Sequence, residues 1–268
     1  MADDPTAAQA GLDTTVSHSA RIWNYWLGGK DNFVVDREAG DRVAAMLPII
    51  VAQARADRAF LGRAVQYLAG QEGIRQFLDI GTGIPSANNT HEVAQSVASD
   101  SRIVYVDNDP VVLAHAQALL AADTATFVVD GDLREPDAIL ANPGMRKYLD
   151  WDRPIGLLMC GILHYVLDEE NPAQVVDTLY RALPSGSYVF IHHLLATEDP
   201  AAAILQEQMR SGLGRAKFRT MNEVMTLFDG LELVEPGLVP VPDWRPQPPT
   251  IRDHPVLEMA CAGVARKP

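Results

Sequence analysis

The sequence predicts a doubly wound α/β fold, a mostly parallel sheet with helices on both faces. Two observations carry that expectation. From residue 75 onward, short apolar runs alternate with amphipathic stretches, the pattern of repeated strand–helix–strand units. The first of these runs ends in Gly81-Thr82-Gly83, and later ones end in Asp107, in Asp130-Gly131-Asp132 and in Cys160-Gly161. Open α/β sheets bind ligands outside the carboxyl ends of their strands, so chemistry-bearing residues are expected there. A chain of 268 residues is long enough for one such sheet or two small domains. No repeat and no linker divides it, and one domain with a helical extension is the expectation.

Taken in order, residues 1–17 are small, polar and acidic without apolar period, and read as a disordered tail. Residues 18–72 read as a helical N-terminal extension. Ser19 can cap a short helix carrying Ile22, Trp23, Trp26 and Leu27, which Gly28-Gly29 stops. Two amphipathic helices follow at 36–46 and 49–69, separated at Pro48. In the second, Ile50, Ala54, Asp57, Phe60, Leu61, Val65 and Leu68 recur at helical spacing, with Arg55, Arg58 and Arg63 on other faces. Residues 73–268 carry the α/β domain. Strands are expected at 75–80, 102–107, 125–130, 154–160 and 187–194, with helices near 89–98, 110–121, 135–141 and 172–183. Beyond 195 come helical stretches near 200–210 and 220–228, then apolar runs at 231–234 and 256–265. The proline-rich stretch from Pro236 to Pro255 reads as an irregular loop.

Composition narrows the function. Hydrophobic residues make up 47% and charged residues 21%, the balance of an ordinary globular protein. No apolar run approaches the roughly 18 residues a membrane helix needs. The N-terminus shows neither the basic start nor the apolar stretch of a secretory signal. Two cysteines, Cys160 and Cys261, are too few for a disulfide framework or a zinc knuckle. No carboxylate stands at ligand spacing from a histidine, so no metal is expected. A reducing cytoplasm is the expected compartment. With 22 Lys and Arg against 35 Asp and Glu the chain carries −13, a field that repels phosphate backbones. Nucleic acid is therefore a poor partner, and a small molecule or a protein remains.

The glycine turn Gly81-Thr82-Gly83 lets backbone approach a ligand that a Cβ would block. Ile84-Pro85-Ser86 does not complete the dinucleotide pattern, because Pro85 removes a donor and the third glycine is missing. A tight turn with no ligand is the alternative for this motif alone. Asp107, closing the second strand, can accept hydrogen bonds from both hydroxyls of a ribose. Asp132, at the rim of the third, can take the exocyclic amine of adenine. The fourth strand empties into Gly161, His164 and Tyr165. Any one of these could be a solvated loop acid or a helix cap; their succession at strand ends is what argues for a site.

The segment Phe77–Gly83, with Asp107 and Gly131-Asp132, resembles class I S-adenosylmethionine-dependent methyltransferases. More narrowly, ARIWNYWLGGKDNF, GTGIPSANNTHEVAQ, YVDNDPVVLAHA and GLVPVPDWRP are similar to a bacterial S-adenosyl methyltransferase family whose substrates are largely unassigned. The resemblance runs from about residue 17 to the end. It implies a Rossmann-like seven-stranded sheet with an antiparallel last strand, S-adenosyl-L-methionine as cofactor, and methyl transfer to an unidentified acceptor. It also implies roles: Gly81, Thr82 and Gly83 on the methionine and ribose side, Asp107 on the ribose hydroxyls, and Asn108 beside the adenine. Asp132 and Leu133 would line the adenine edge, with Gly131 allowing close approach. Asp79 would orient the loop or meet the ammonium group, and Cys160 and Gly161 would border the sulfonium.

Methyl transfer requires mainly alignment and exclusion of water, and a base only for an alcohol, phenol or protonated amine. His164 and Tyr165, following the fourth strand, are the candidate catalytic residues. His192 and His193, inside the fifth strand, point to opposite faces of the sheet. The segment from Arg21 to Phe33 packs aromatics among Arg21, Asn24, Lys30 and Asn32 beside a double glycine, the composition of a lid over the cofactor. Arg21, ahead of Lys30, would pair with the methionine carboxylate; Asn24 would add a hydrogen bond. The bland alternative is a bracing helix with a glycine cap. Trp244-Arg245-Pro246 would roof the pocket or brace the sheet edge. Two other functions stay open: a non-catalytic or regulatory S-adenosylmethionine-binding protein, and a nicotinamide-dependent oxidoreductase, which Asp107 alone would suit.

Overall fold

A computed structural model describes residues 14–84, 88–120, 124–246 and 258–268. Most of the tail expected at 1–17, Pro85 and Ser86 of the glycine loop, and part of the proline-rich stretch lie outside the described residues. Three helices come first: α1 (Ser19–Trp26), α2 (Val34–Met46) and α3 (Ile50–Gly70). Then follow β1 (Gln76–Ile80), α4 (Thr90–Val97), β2 (Arg102–Asp107), α5 (Pro110–Leu120), β3 (Thr126–Asp130), α6 (Pro136–Ala141) and α7 (Pro143–Tyr148). The chain continues with β4 (Gly156–Cys160), α8 (Pro172–Ala182), β5 (Tyr188–Leu194), α9 (Pro200–Leu213), α10 (Met221–Met225), β6 (Glu232–Leu233), β7 (Val239–Pro240) and β8 (Ala260–Arg266).

The sheet order is β3-β2-β1-β4-β5-β8-β6, with the two-residue β7 also paired to β8. Strands β1 to β5 are parallel, and β8 runs antiparallel to β5. The doubly wound, mostly parallel sheet with a helical N-terminal region is the architecture the sequence predicts. Two short elements escape that reading. Strand β7 forms inside the proline-rich stretch because Val239 reaches Ala262 of β8. Helix α7 starts right after α6, with Pro143 in its first turn and the Asn142 side chain accepting from the Gly144 N–H at 2.8 Å.

Alternation along the strands sorts side chains between two cores. Phe77, Ile103, Tyr105, Leu158 and Phe190 face the helices α1 to α3 and α9. Leu78, Val104, Leu157, Val189 and Ile191 face the opposite layer of α6, α8 and α10. Phe60 of α3 anchors the first core, stacked on Phe190 at 4.6 Å and edge-on to Trp244 at 5.3 Å. Trp244 is fully buried, and Arg63 donates to its carbonyl at 3.1 Å. This tryptophan braces the sheet and lines neither of the two cavities described below. Replacing Phe60 by Ala should cost about 3–5 kcal/mol of stability, read from denaturant unfolding; a loss below about 1 kcal/mol would mean the stack does not anchor this face.

Candidate active site

Strand order reverses between β1 and β4, since β2 and β3 lie on one side and β4 and β5 on the other. Crossovers to the two sides diverge there and open a crevice at the carboxyl ends. A cavity of about 280 Å³ fills that crevice. Its wall is made by Asp79–Ile84 after β1, Asp107-Asn108 after β2, Gly131–Arg134 after β3 and Cys160–Ile162 after β4. Helix α1 adds Ala20, Trp23, Asn24 and Leu27, and α3 adds Ala54, Asp57, Arg58 and Leu61. Both quartets repeat at i, i+3, i+4 and i+7, one face of each helix.

Gly81 and Gly83 adopt left-handed backbone, φ +75° and +67°. A Cβ on Gly81 would lie 2.6 Å from Ile162, whereas one on Gly83 would meet nothing within 4 Å. The first glycine is needed for packing; the second leaves open space above the turn. The Gly83 N–H donates to Asp107 Oδ2 at 2.9 Å, and the Asp109 N–H to Oδ1 at 3.0 Å. Burial pushes the Asp107 carboxyl up, against those two amide bonds. Asp79 is buried too, and accepts from the Thr90 hydroxyl at 2.6 Å. Its carboxyl is pushed up to about 6 by burial, with Thr90 and the Arg58 charge opposing. At the rim, Asp132 pairs with Arg134 and accepts from Asn108 at 3.1 Å. Arg134 holds it down at about 2.

Two expected site residues are not on this wall. Arg21 sits about 100° around α1 from Ala20, and that turn aims it at α2. It donates to the Val16 carbonyl at 2.7 Å and lies 3.5 Å from Asp36, over the Phe33 ring. Three arginines line the cavity instead, Arg58, Arg134 and Arg215; Arg134 pairs with Asp132 and Arg215 with Glu170, whereas the Arg58 guanidinium donates to Asn89 at 2.6 Å. His164 is fully buried behind the wall, among Tyr165, His193 and Phe218. It stands on a one-turn 3₁₀ helix, Leu163–Tyr165, where neighbours diverge by about 120°. Tyr165 therefore lines the cavity while His164 faces inward, and burial drives its pKa well below the ordinary histidine range. Lys30 is exposed and likewise off the wall. Asn24 does line the cavity, but its side-chain oxygen also accepts from the Asp31 N–H and the Asn32 amide. It thereby ties down the loop after Gly28-Gly29.

The structure adds a pair that sequence reading left unassigned. His192 Nε2 lies 2.9 Å from Asp57 Oδ1, and both are buried on the cavity wall. Gln53 donates to the same Oδ1 at 2.6 Å. Packing brings them together: Asp57 precedes Phe60 by one helical turn, His192 follows Phe190 by one strand repeat, and the two rings are stacked. His193 points to the other face and meets Arg219 at 3.1 Å. An acid inside the apolar stripe of α3 and an imidazole inside an apolar strand were the available signals. Beside them, desolvation, helped by the charges of Asp57 and Asp79, pushes the Cys160 thiol up. The thiol stays neutral. His18 was also missed; it reaches Asp109 at 2.6 Å. Among the described residues no cluster of His, Cys, Asp and Glu is arranged to hold a metal ion, and no helix is long and apolar enough to cross a membrane.

A glycine turn at the switch point, an acid closing β2 and a roof of helices define a Rossmann-like methyltransferase of class I. The chain belongs to the S-adenosyl methyltransferase family, whose model matches residues 5–268. It is similar to the crystal structure of a candidate methyltransferase of Thermobifida fusca, 43% identical, with TM-score 0.92 over 96% of this chain and 97% of that one. A DUF574 family protein of Streptomyces avermitilis is 44% identical, with TM-score 0.90 over 96% of this chain and 99% of the other. An O-methyltransferase of Planctomyces limnophilus shares the fold alone, at 18% identity and TM-score 0.51, over 92% of this chain and 65% of its own. No curated protein matches. The protein is an S-adenosylmethionine-dependent methyltransferase.

The cavity fits that cofactor: Gly83 leaves open space, the Asp107 carboxylate is fixed at the end of β2 by two amides, and the buried acids suit a cationic ligand. Carbon-13 NMR of the Asp79 carboxyl should give a midpoint near 6 in the ligand-free protein, and Thr90→Val should move it higher, since that hydrogen bond favours the charged form. A folded-state pKa above the unfolded value means stability is lost as pH rises from about 4 to about 6, and Asp79→Asn should flatten this part of the profile. A midpoint at the ordinary aspartate value would show that Asp79 is solvated.

Proposed function

We propose that this enzyme methylates a small-molecule acceptor in the cytoplasm and not nucleic acid, whose phosphates the −13 charge repels. The observation that carries this reading is the enclosure of the cavity by α1 and α3. Trp23 and Leu61 stand on its wall together with the glycine turn, a space suited to a small ligand rather than a chain or duplex. S-adenosylmethionine supplies, when bound, a methyl group activated by its sulfonium.

The residues divide the remaining work. Asp107 takes the ribose hydroxyls, pre-set by the amides of Gly83 and Asp109. Asn108, Gly131, Asp132 and Leu133 border the adenine, with Asp132 keeping its partner Arg134. Arg58 takes the methionine carboxylate in place of Arg21, and Asp79 the ammonium. Cys160 and Gly161 line the reacting end, where a neutral thiol does not compete for the methyl group. Helix α1 covers the site and excludes water. His192 replaces His164 as the proton acceptor. With Nε2 2.9 Å from Asp57, Nδ1 lies on the Gly161 side, where a Cβ would be 3.6 Å away. The oxidoreductase and regulatory alternatives both give way to the methyltransferase family match.

Calorimetry with S-adenosylhomocysteine tests the binding assignments. Asp107→Ala removes up to two hydrogen bonds to a charge, each about 1.5–3 kcal/mol, and should weaken binding at least about tenfold. Arg58→Gln should do the same, Arg21→Gln should not, and NAD should not bind the wild type. Affinity should fall as pH drops through about 6, where Asp79 takes up a proton, and Asp79→Asn should remove that dependence. Affinity unchanged in Asp107→Ala would move the ribose elsewhere. Methyl-labelled cofactor, given with a fractionated bacterial extract, tests the acceptor class and the base together. Label should enter the small-molecule fraction, and His192→Asn should abolish it while leaving S-adenosylhomocysteine affinity within about threefold. Label confined to protein or nucleic acid would overturn the reading.

A further inference from the structure

A second cavity, about 210 Å³, lies between α1, α2 and α9. It adjoins the first, and Ser17, Ser19, Trp23, Tyr165 and Leu213 belong to both walls. Beyond that shared part the wall is mainly apolar, with Ile22, Trp26, Val43, Leu205 and Met209. A polar molecule would lose hydration there with few groups to replace it.

One charge interrupts this wall. Arg42 of α2 lines the second cavity and not the first, and no acidic residue stands on the second wall among the described residues. Arg42 makes no hydrogen bond or ion pair with another described residue. Its neighbour Asp41 is engaged elsewhere, accepting from the Tyr25 hydroxyl at 2.7 Å. In a chain with 35 acids and 22 bases, an exposed guanidinium with no partner among the described residues, at the edge of an apolar cavity with no acid on its described wall, is suited to meet an anion.

Building on the methyltransferase reading, we propose that this second cavity is the acceptor site and that the acceptor is a small amphipathic acid. Its apolar aromatic or aliphatic body fills the space under Trp26 and Met209, and its carboxylate meets Arg42. Because Arg42 lies away from the shared wall, the carboxylate is the handle and not the methylated group. The nucleophile is a hydroxyl or amine at the opposite end, presented past Tyr165 and Trp23 toward the cofactor cavity. That polarity also places the acceptor proton on the His192 side of the molecule.

Gly212 of α9 provides a clean test. It lines the second cavity only, and a Cβ there meets nothing within 4 Å. Gly212→Phe should therefore fold, favoured further by helix propensity, and plug the space. The probes are 4-hydroxybenzoate, 4-hydroxyphenylacetate and 4-hydroxycinnamate, each beside its neutral amide, titrated by calorimetry with and without saturating S-adenosylhomocysteine. At least one acid should bind the wild type about tenfold or more tightly than its amide. Gly212→Phe should weaken that acid at least about tenfold while leaving S-adenosylhomocysteine affinity unchanged, and Arg42→Gln should erase the acid–amide difference. Acids that bind no better than amides, or that do not bind, would overturn the proposal. So would an acid affinity unmoved by Gly212→Phe. Failure of S-adenosylhomocysteine to bind the wild type would instead overturn the assignment of the first cavity, and the acid–amide comparison would still decide the second.

Discussion

The site depends on how each parallel strand is ended. The ladder runs one residue past β1, β3 and β4 through a glycine: the Gly81 N–H donates to Val106 at 2.8 Å, Gly131 to Asp107 at 3.2 Å and Gly161 to His192 at 3.3 Å. Gly81 and Gly161 then turn the chain through left-handed backbone, φ +75° and +67°, which other residues adopt only under strain. The β1 and β4 turns interlock, since Gly81 leaves no room for a Cβ against Ile162. The loops are thereby held apart above the sheet, and the backbone of Gly83 is delivered to Asp107. A floor made this way holds Gly83 and Asp107 in register with each other, the kind of placement that alignment-limited chemistry needs.

Charge is distributed unevenly over that floor. The deep acids Asp79 and Asp107 are desolvated and both are pushed upward, while the rim acid Asp132 is satisfied by Arg134. Arg58 opposes the upward push on Asp79. A cationic ligand with an ammonium and a sulfonium restores what burial withholds from these carboxylates. A dinucleotide, with its pyrophosphate, would bring further negative charge to the same acids.

The helical roof is joined to the sheet by polar contacts as well as by the aromatic core. Asp36 of α2 is fully buried and accepts from the N–H groups of His18 and Phe33 at 2.9 and 2.8 Å, with Arg21 3.5 Å away. His18 in turn reaches Asp109 beyond β2. One acid thus ties the start of α1, the start of α2 and, through His18, the end of β2. Arg21 has a structural duty in this network, which explains an arginine so close to the site that does not enter it.

The strand ends were legible from sequence because they are local. A run such as Phe77–Ile80 followed by Gly81 announces both the strand and the turn, and Asp79, Asp107, Asp132 and Cys160 follow from their places in such runs. The order of strands then brings these ends to one cavity. Which side chains face that cavity from the helices was decided by packing. A helical residue's direction depends on the rotation of its helix about its axis, and for α1 and α3 that rotation is set by Phe60 on Phe190 and Asp36 on His18. So Arg58 turns toward the cavity and Arg21 away, although sequence gives both as basic residues on amphipathic helices. His192 and His193 were known to face opposite ways, but only the stacking of α3 on β5 sets Asp57 beside the first. His164 and Tyr165 were adjacent in sequence and inseparable there. A single 3₁₀ turn, formed where the chain leaves β4, packs His164 inward against His193 and Phe218 and leaves Tyr165 on the cavity wall.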